Sequence, residues 1–222
     1  MTPILNRLGL ACAGLLALSA CGSETHPAID YIRSQKLLSS EPKNPKTVVT
    51  ADQTAQTLAA TDAPVEFVNL ESRESQALMI GIERNGPYYT YGTATRQSIV
   101  LRNGMITATR GLGGDLMSSE EDALYRVVQS RHAGSASYQM RFLTPEDVIS
   151  TLNVSCTVSA GGPTAIVAGA INSSGTTMTA NCQGDGASFS NTYVVDARGN
   201  ILAARQWLGH ELGYVGNQAM RR

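Results

Sequence analysis

The sequence predicts a mainly β protein: an antiparallel meander curled into an open barrel or sandwich, with short helical segments near the N-terminus. Three observations carry this. Apolar and polar residues alternate with period two in several runs after Pro64, Asn103-Gly104 sits between two such runs, and successive runs follow at short spacing without regular helices between them. Period two places side chains on opposite faces of a strand, and Asn-Gly tolerates the positive φ angles of a type I′ hairpin turn. Strands without crossover helices favour antiparallel over parallel α/β architecture. Hydrophobic residues make up 42% of the chain and aromatic residues 5%, so the interior must be built mainly from aliphatic side chains.

The N-terminus begins with one basic residue, Arg7, before an apolar run from Leu8 to Leu18. That run is shorter than the roughly 20 residues needed to span a bilayer and matches a signal-peptide core. Leu18-Ser19-Ala20-Cys21 ends it, with small residues leading into a cysteine. This is the pattern read by lipoprotein signal peptidase, so residues 1–20 read as a signal peptide and Cys21 as the lipidation site. Residue 22 is Gly rather than Asp, which favours sorting to the outer membrane over inner-membrane retention. The protein is expected at the periplasmic face of the outer membrane, held by its lipid.

Residues 21–64 read as a lipidated tether punctuated by Pro27, Pro42 and Pro45. Ile29, Ile32, Leu37 and Leu38 suit one or two amphipathic turns, and Asp52 can cap a second short helix through Leu58. This stretch either stands the domain off the membrane or packs partly upon it. Residues 65–222 form the expected β-rich periplasmic domain. Within it Leu78, Ile80 and Ile82 alternate with Met79, Gly81 and Glu83, and Asn85-Gly86-Pro87 breaks the run. Ser98 to Arg102 and Met105 to Arg110 flank the Asn-Gly turn. Ser118-Ser119-Glu120-Glu121 offers a helix start before Leu124, Val127 and Val128. Tyr138, Met140 and Phe142 mark another strand, and Tyr193–Val195 with Ile201–Trp207 flank a third hairpin-like connection at residues 196–200.

Two cysteines remain after export and lipidation, Cys156 and Cys182. Leu152, Val154, Cys156 and Val158 share one face of an alternating run, and Met178, Ala180 and Cys182 share one face of another. Both thiols thus point to the apolar side, and an oxidising compartment favours a disulfide. Metal binding is the competing use, but two cysteines without neighbouring histidines make a poor zinc site.

Other function classes find little support. The formal net charge of −1 argues against nucleic-acid binding, which needs a basic patch. Gly111-Leu112-Gly113-Gly114 lacks the Walker lysine and a βαβ context, so it reads as a turn. His210-Glu211 has no second histidine at position 214, and no G-x-S-x-G elbow is present. Neither a cofactor motif nor a metal cluster is recognisable. The acidic pairs Glu120-Glu121 and Glu146-Asp147 suit exposed turns. The chain reads as a non-enzyme.

Two segments together resemble the YjbF family of outer-membrane lipoproteins, also called the GfcB family. One runs from Thr109 through Arg110, Gly111-Leu112-Gly113-Gly114 and Asp115 to Ser118. The other runs from Asn191-Thr192-Tyr193-Val194-Val195-Asp196 through Gln206-Trp207-Leu208-Gly209 to Glu211-Leu212-Gly213-Tyr214. The lipobox and the late cysteine pair are also similar to that family. His210 departs from it, standing where the resemblance implies proline. The resemblance implies a role in exopolysaccharide or group 4 capsule production, with an outer-membrane β-barrel and a second periplasmic protein as partners. It supplies no catalytic residues.

The two segments have a structural reading, glycines for turns and Trp207 for the core. They also have a functional one, in which Arg110, Asp115, Trp207 and Tyr214 line a surface for sugar or partner. The leading expectation is a non-enzymatic accessory lipoprotein in polysaccharide production or export. Its rivals are a periplasmic glycan- or lipid-binding module and a polysaccharide-modifying enzyme. An apolar cavity would favour a lipid carrier, and an open groove holding Trp207 and acidic residues would favour glycan. Replacing Cys21 by Ala should abolish lipidation. Metabolic labelling with a radioactive fatty acid checks this, and equal label on Cys21→Ala and parent would remove the anchor.

Overall fold

The computed structural model describes residues 46–144 and 148–222, so the signal peptide, Cys21 and Glu146-Asp147 lie outside the described residues. Residues 45–222 form one compact unit. It contains a single twelve-stranded antiparallel sheet in the order β5-β4-β3-β2-β1-β12-β11-β10-β9-β8-β7-β6. The strands are β1 (Val65–Leu70), β2 (Ser75–Asn85), β3 (Tyr88–Gly92), β4 (Ser98–Arg102), β5 (Met105–Arg110), β6 (Leu116–Glu120), β7 (Gly134–Leu143), β8 (Ile149–Ala168), β9 (Ile171–Gly184), β10 (Ala187–Asp196), β11 (Ile201–Trp207) and β12 (Tyr214–Arg221). Apart from β5 and β6, strands adjacent in sequence pair with one another, and β1 pairs with β12. The sheet curls into a nearly closed barrel whose two edges, β5 and β6, are consecutive in the chain.

Alternation sets which side chains enter the barrel. On β10, Phe189, Asn191, Tyr193 and Val195 are buried, while Ser188 is exposed and Ser190 and Thr192 half-buried. The Asn103-Gly104 turn joins β4 and β5, with φ of 47° and 92°. On β2 the interior takes the other half of the alternation: Met79 is buried, whereas Ile80 and Ile82 are exposed. A large apolar residue on both faces left the pattern silent about which face turns inward. The expected helix start at Ser118–Glu121 is a correction. Ser118, Ser119 and Glu120 belong to β6, which pairs with β7, and helix α2 spans Asp122–Ser130. Its Leu124, Tyr125 and Val128 are buried.

The stretch before residue 64 takes the second of its two expected arrangements, packing partly on the domain. Helix α1 spans Ala51–Ala60 and is capped by Thr50 rather than Asp52, in a capping box with Gln53. The segment is tied to the sheet at both ends. Gln76 N donates to Thr47 O at 2.7 Å and Val49 N donates to Gln76 Oε1 at 3.0 Å, while the Arg221 guanidinium donates to the carbonyls of Leu58 and Thr61. Part of the expected tether therefore packs on the domain.

Cys156 and Cys182 stand directly opposite on β8 and β9 and are joined by a disulfide. The chain-entropy model assigns a loop of this 26-residue separation roughly 3.5 kcal/mol of stabilisation.

The barrel closes at β5 and β6 through side chains. Thr109 Oγ donates to Asp115 Oδ1 at 2.8 Å and accepts from Leu116 N at 3.0 Å. Asp115 also accepts from the backbone N–H groups of Gly111 and Leu112 at 2.8 and 3.1 Å. Arg110 donates to the carbonyls of Leu116 and Met117 at 3.2 and 3.1 Å, and Ser119 Oγ donates to Thr107 O at 3.3 Å. Removing the Asp115 carboxylate leaves two donors of buried residues, the Thr109 hydroxyl and Leu112 N–H, without their acceptor. Asp115→Ala should cost about 2–3 kcal/mol, read as a lower midpoint in urea unfolding. An unchanged midpoint would mean that this seam does not hold the barrel.

Candidate functional site

Because the chain runs up and down, its connections fall at two ends of the barrel. One end gathers the 3₁₀ turn Glu71–Arg73 and residues 111–115, 184–187 and 208–213. The other gathers residues 86–87, 103–104 and 196–200, helix α2 and the C-terminal residue. The barrel interior between them is filled by buried side chains such as Tyr138, Tyr193, Met140 and Met178. A cleft opens at each end.

At the first end the two sequence segments that carry the family resemblance meet. Gly114 has φ +75°, and a Cβ there would lie 2.3 Å from Glu211 Cβ, so the loop can lie against residues 208–213 only as glycine. Ser72 Oγ donates to Leu212 O at 2.9 Å, and Arg73 donates to Gly113 O at 3.3 Å. Two buried amides anchor the adjoining strand. Asn191 Oδ1 accepts from Trp207 N at 2.8 Å. Gln206 reaches across the interior to β5, accepting from Ile106 N at 2.7 Å and donating to Ile106 O at 3.2 Å.

Trp207 is half-buried, stacked on Phe189 with ring centroids 4.6 Å apart, and His210 meets its ring edge-on at 5.2 Å. With Phe142, Asp185, Gly209 and Glu211 it lines a cleft of about 350 Å³. An aromatic ring with carboxylates nearby can stack on a sugar face and accept from its hydroxyls.

The four residues nominated by sequence do not form one surface. Both carboxylate oxygens of Asp115 are taken up by the β5–β6 seam, and the exposed Arg110 donates to backbone carbonyls of the same seam, because edge strands leave backbone groups that need partners. Tyr214 stands opposite Trp207 on β12, but its ring lies under the Arg205 guanidinium at 3.5 Å and its hydroxyl accepts from Ser190 N at 3.2 Å. Arg205 is in turn held by Glu71 at 2.6 and 2.7 Å. Of the four, Trp207 lines the cleft at this end.

The cleft at the second end, about 500 Å³, was not singled out by sequence. Arg84, Pro87 and Arg222 are exposed at its rim, and Tyr89, Tyr91 and Tyr125 form its walls. Glu66, only 3% exposed, belongs to its floor. Its Oε2 has no hydrogen-bond partner among the described residues. Burial pushes this carboxyl up to about 8, against the opposing pull of Arg222 and the Asn217 side chain. Arg102, also in the lining, donates to Glu121 at 3.1 Å and pairs with Asp122, with its guanidinium 4.4 Å from the Tyr125 ring centroid. Glu121 is itself buried and also accepts from Tyr88 Oη and Ser119 Oγ, each at 3.0 Å. The sequence signal for this cleft was a lone carboxylate in a mostly apolar strand.

Among the described residues, no group of three or more His, Cys, Asp or Glu side chains is placed to hold a metal ion, and no helix is long and apolar enough to cross a membrane.

Comparison with known proteins adds three findings. Residues 43–219 match the family described as "Group 4 capsule polysaccharide lipoprotein gfcB, YjbF". No curated protein matches the sequence. A crystal structure of the hypothetical lipoprotein YmcC from Escherichia coli (K12) is similar, with a TM-score of 0.65 and 14% sequence identity. The match covers 79% of this chain and 98% of that one. At that identity the likeness shows a shared fold.

Glu66 gives stability a pH dependence of definite sign. The folded protein keeps the Glu66 proton up to about pH 8, whereas an unfolded chain releases it near the ordinary value of about 4.3. Between those values the folded state binds more protons, so this stabilisation is complete below the lower value and is lost as pH rises through the upper one. The slope is at most about 1.4 kcal/mol per pH unit. Glu66→Gln removes this contribution. Its unfolding midpoint should therefore gain on the parent's steadily between pH 5 and pH 8. Parallel curves for the two proteins would show that Glu66 is ionised when folded.

Proposed function

Given that the chain belongs to the YjbF family of group 4 capsule polysaccharide lipoproteins, we propose that it is an accessory lipoprotein in the production or export of an extracellular polysaccharide. It is anchored by Cys21 at the periplasmic face of the outer membrane and has no catalytic step of its own. The observation that carries this reading is the family match across residues 43–219, which includes nearly the whole barrel. Its partners are an outer-membrane β-barrel and a periplasmic protein of the same export system.

Two features of the structure fit this role. The barrel interior is packed with side chains rather than hollow, which favours a scaffold or surface binder over a lipid carrier. Trp207 also lies in an open cleft with Asp185 and Glu211, as an aromatic contact for a glycan would. That cleft supports the second reading, a periplasmic glycan-binding module, and the two are compatible if the accessory protein touches the polymer.

Deletion of the gene should lower surface or secreted polysaccharide while intracellular precursor persists. Complementation with Trp207→Ala then separates a binding role from a packing role. A folded, correctly localised variant that fails to restore secretion assigns Trp207 to a working surface. Loss of the folded protein assigns it to packing, since removing a Trp from a well-packed site costs about 3–5 kcal/mol. Unchanged extracellular polysaccharide in the deletion strain, under conditions where the gene is expressed, overturns the export reading.

A further inference from the structure

We propose that the tyrosine-lined cleft at the second end of the barrel is a binding site for a carboxylate-bearing sugar unit, gripped through Arg84 and Arg222 and stacked on Tyr89 and Tyr91. The site is built from the interior outward. Tyr89 and Tyr91 alternate along β3, with ring centroids 5.0 Å apart and planes tilted by 39°. Tyr89 can lie where it does because residue 81 across on β2 is glycine: a Cβ there would come within 2.5 Å of the Tyr89 ring. The pair forms an aromatic wall with one ring buried and the other half-buried. A wall of this kind suits the C–H face of a pyranose ring.

The charged groups choose among sugars. Among the described residues, Arg84 and Arg222 form no close ion pair, although Arg222 acts at longer range on Asp196 and Glu66. Arg84 donates only to Gly86 O at 3.3 Å, and Arg222 donates to Asn103 Oδ1 and to the carbonyl of Ile201. Arg102 is different, since Glu121 and Asp122 already neutralise it. Two guanidinium groups with spare donors at the rim are suited to a ligand carboxylate, which guanidinium binds by charge-assisted hydrogen bonds. The cleft at the Trp207 end carries the opposite sign, with Asp185 and Glu211 and no Lys or Arg in its lining.

Glu66 completes the selection. It lies on the floor, buried, and its Oε2 makes no hydrogen bond among the described residues, although the Asn217 side chain stands next to the carboxyl. Such an atom is costly unless a partner arrives. In its protonated form it donates a hydrogen bond to a bound hydroxyl or carboxylate; ionised, it would repel an acidic ligand. The groups facing it are Arg222 from the C-terminus, Tyr91 from β3 and Asn217 from β12. Burial raises the Tyr91 phenol further from neutrality, whereas it brings the Glu66 carboxyl up to about 8, so Glu66 is the carboxyl of the floor whose charge changes between pH 6 and pH 9.

This site deepens the polysaccharide reading above, yet its test stands apart from secretion. The detergent-solubilised full-length lipoprotein is titrated with a β-1,4-linked glucuronate tetrasaccharide and with cellotetraose, its uncharged counterpart. At pH 6 the acidic sugar should bind about tenfold more tightly, a difference of about 1.4 kcal/mol. Arg84→Glu, a change at an exposed side chain, should remove that preference. Raising the pH to 9 should weaken the acidic sugar, and Glu66→Gln should abolish this pH effect. In NMR the ring signals of Tyr89 and Tyr91 should shift on binding, while the indole N–H of Trp207, the chain's one tryptophan, stays in place. Equal affinity for the two sugars, no binding of either, or an acidic preference that survives Arg84→Glu overturns the proposal. Those outcomes leave the gene-deletion result untouched, so the two readings fail separately.

Discussion

The two edges of the sheet have to be joined, and most of the architecture follows from how this is done. A twelve-stranded meander leaves two edge strands with unpaired backbone groups, which invite pairing with other chains. Here those strands are β5 and β6, connected by only five residues, so the edges are held near each other by covalent linkage. Thr109, Arg110, Asp115 and Ser119 then supply the hydrogen bonds that a backbone ladder would otherwise make. The same loop positions Gly113 and Gly114 against Arg73 and Glu211, so barrel closure and the shape of the Trp207 cleft are set together.

The β architecture was legible because alternation and hairpin chemistry are local signals. Asn103-Gly104 and the paired runs around Cys156 and Cys182 announce their geometry within a few residues. Helix α2 was misplaced at its start because Ser118–Glu121 reads as a cap in isolation, whereas pairing with β7 holds Ser118, Ser119 and Glu120 extended. Tertiary pairing overrode local propensity there. The apolar residues on both faces of β2 hid its orientation for a related reason: period two says that faces differ, not which one is buried.

The candidate sites were less legible, since side chains acquire their roles from distant partners. Arg110 and Asp115 look unengaged in sequence, but both make hydrogen bonds within the seam that closes the barrel. Trp207 stands out in the sequence as the one tryptophan, but its neighbours Phe142, Asp185 and Phe189 come from three other strands or turns. Glu66 gave almost no sequence signal, because a single acidic residue in a strand is ordinarily solvent-facing. Its burial follows from β1 lying between β2 and β12, with Met79 and Ala219 opposite it.

The disulfide lies in the longest hairpin of the molecule, β8 and β9, and joins residues that face each other directly. A slip of two residues between these strands would preserve the inward face of every side chain, so hydrophobic burial alone discriminates weakly against it. It would, however, bring Cys182 opposite Val154 or Val158 and move the thiols out of reach. Oxidation can therefore seal only the correct alignment. The bond works as a proofreading mark on strand pairing, and a chain that has not reached an oxidising compartment lacks that mark.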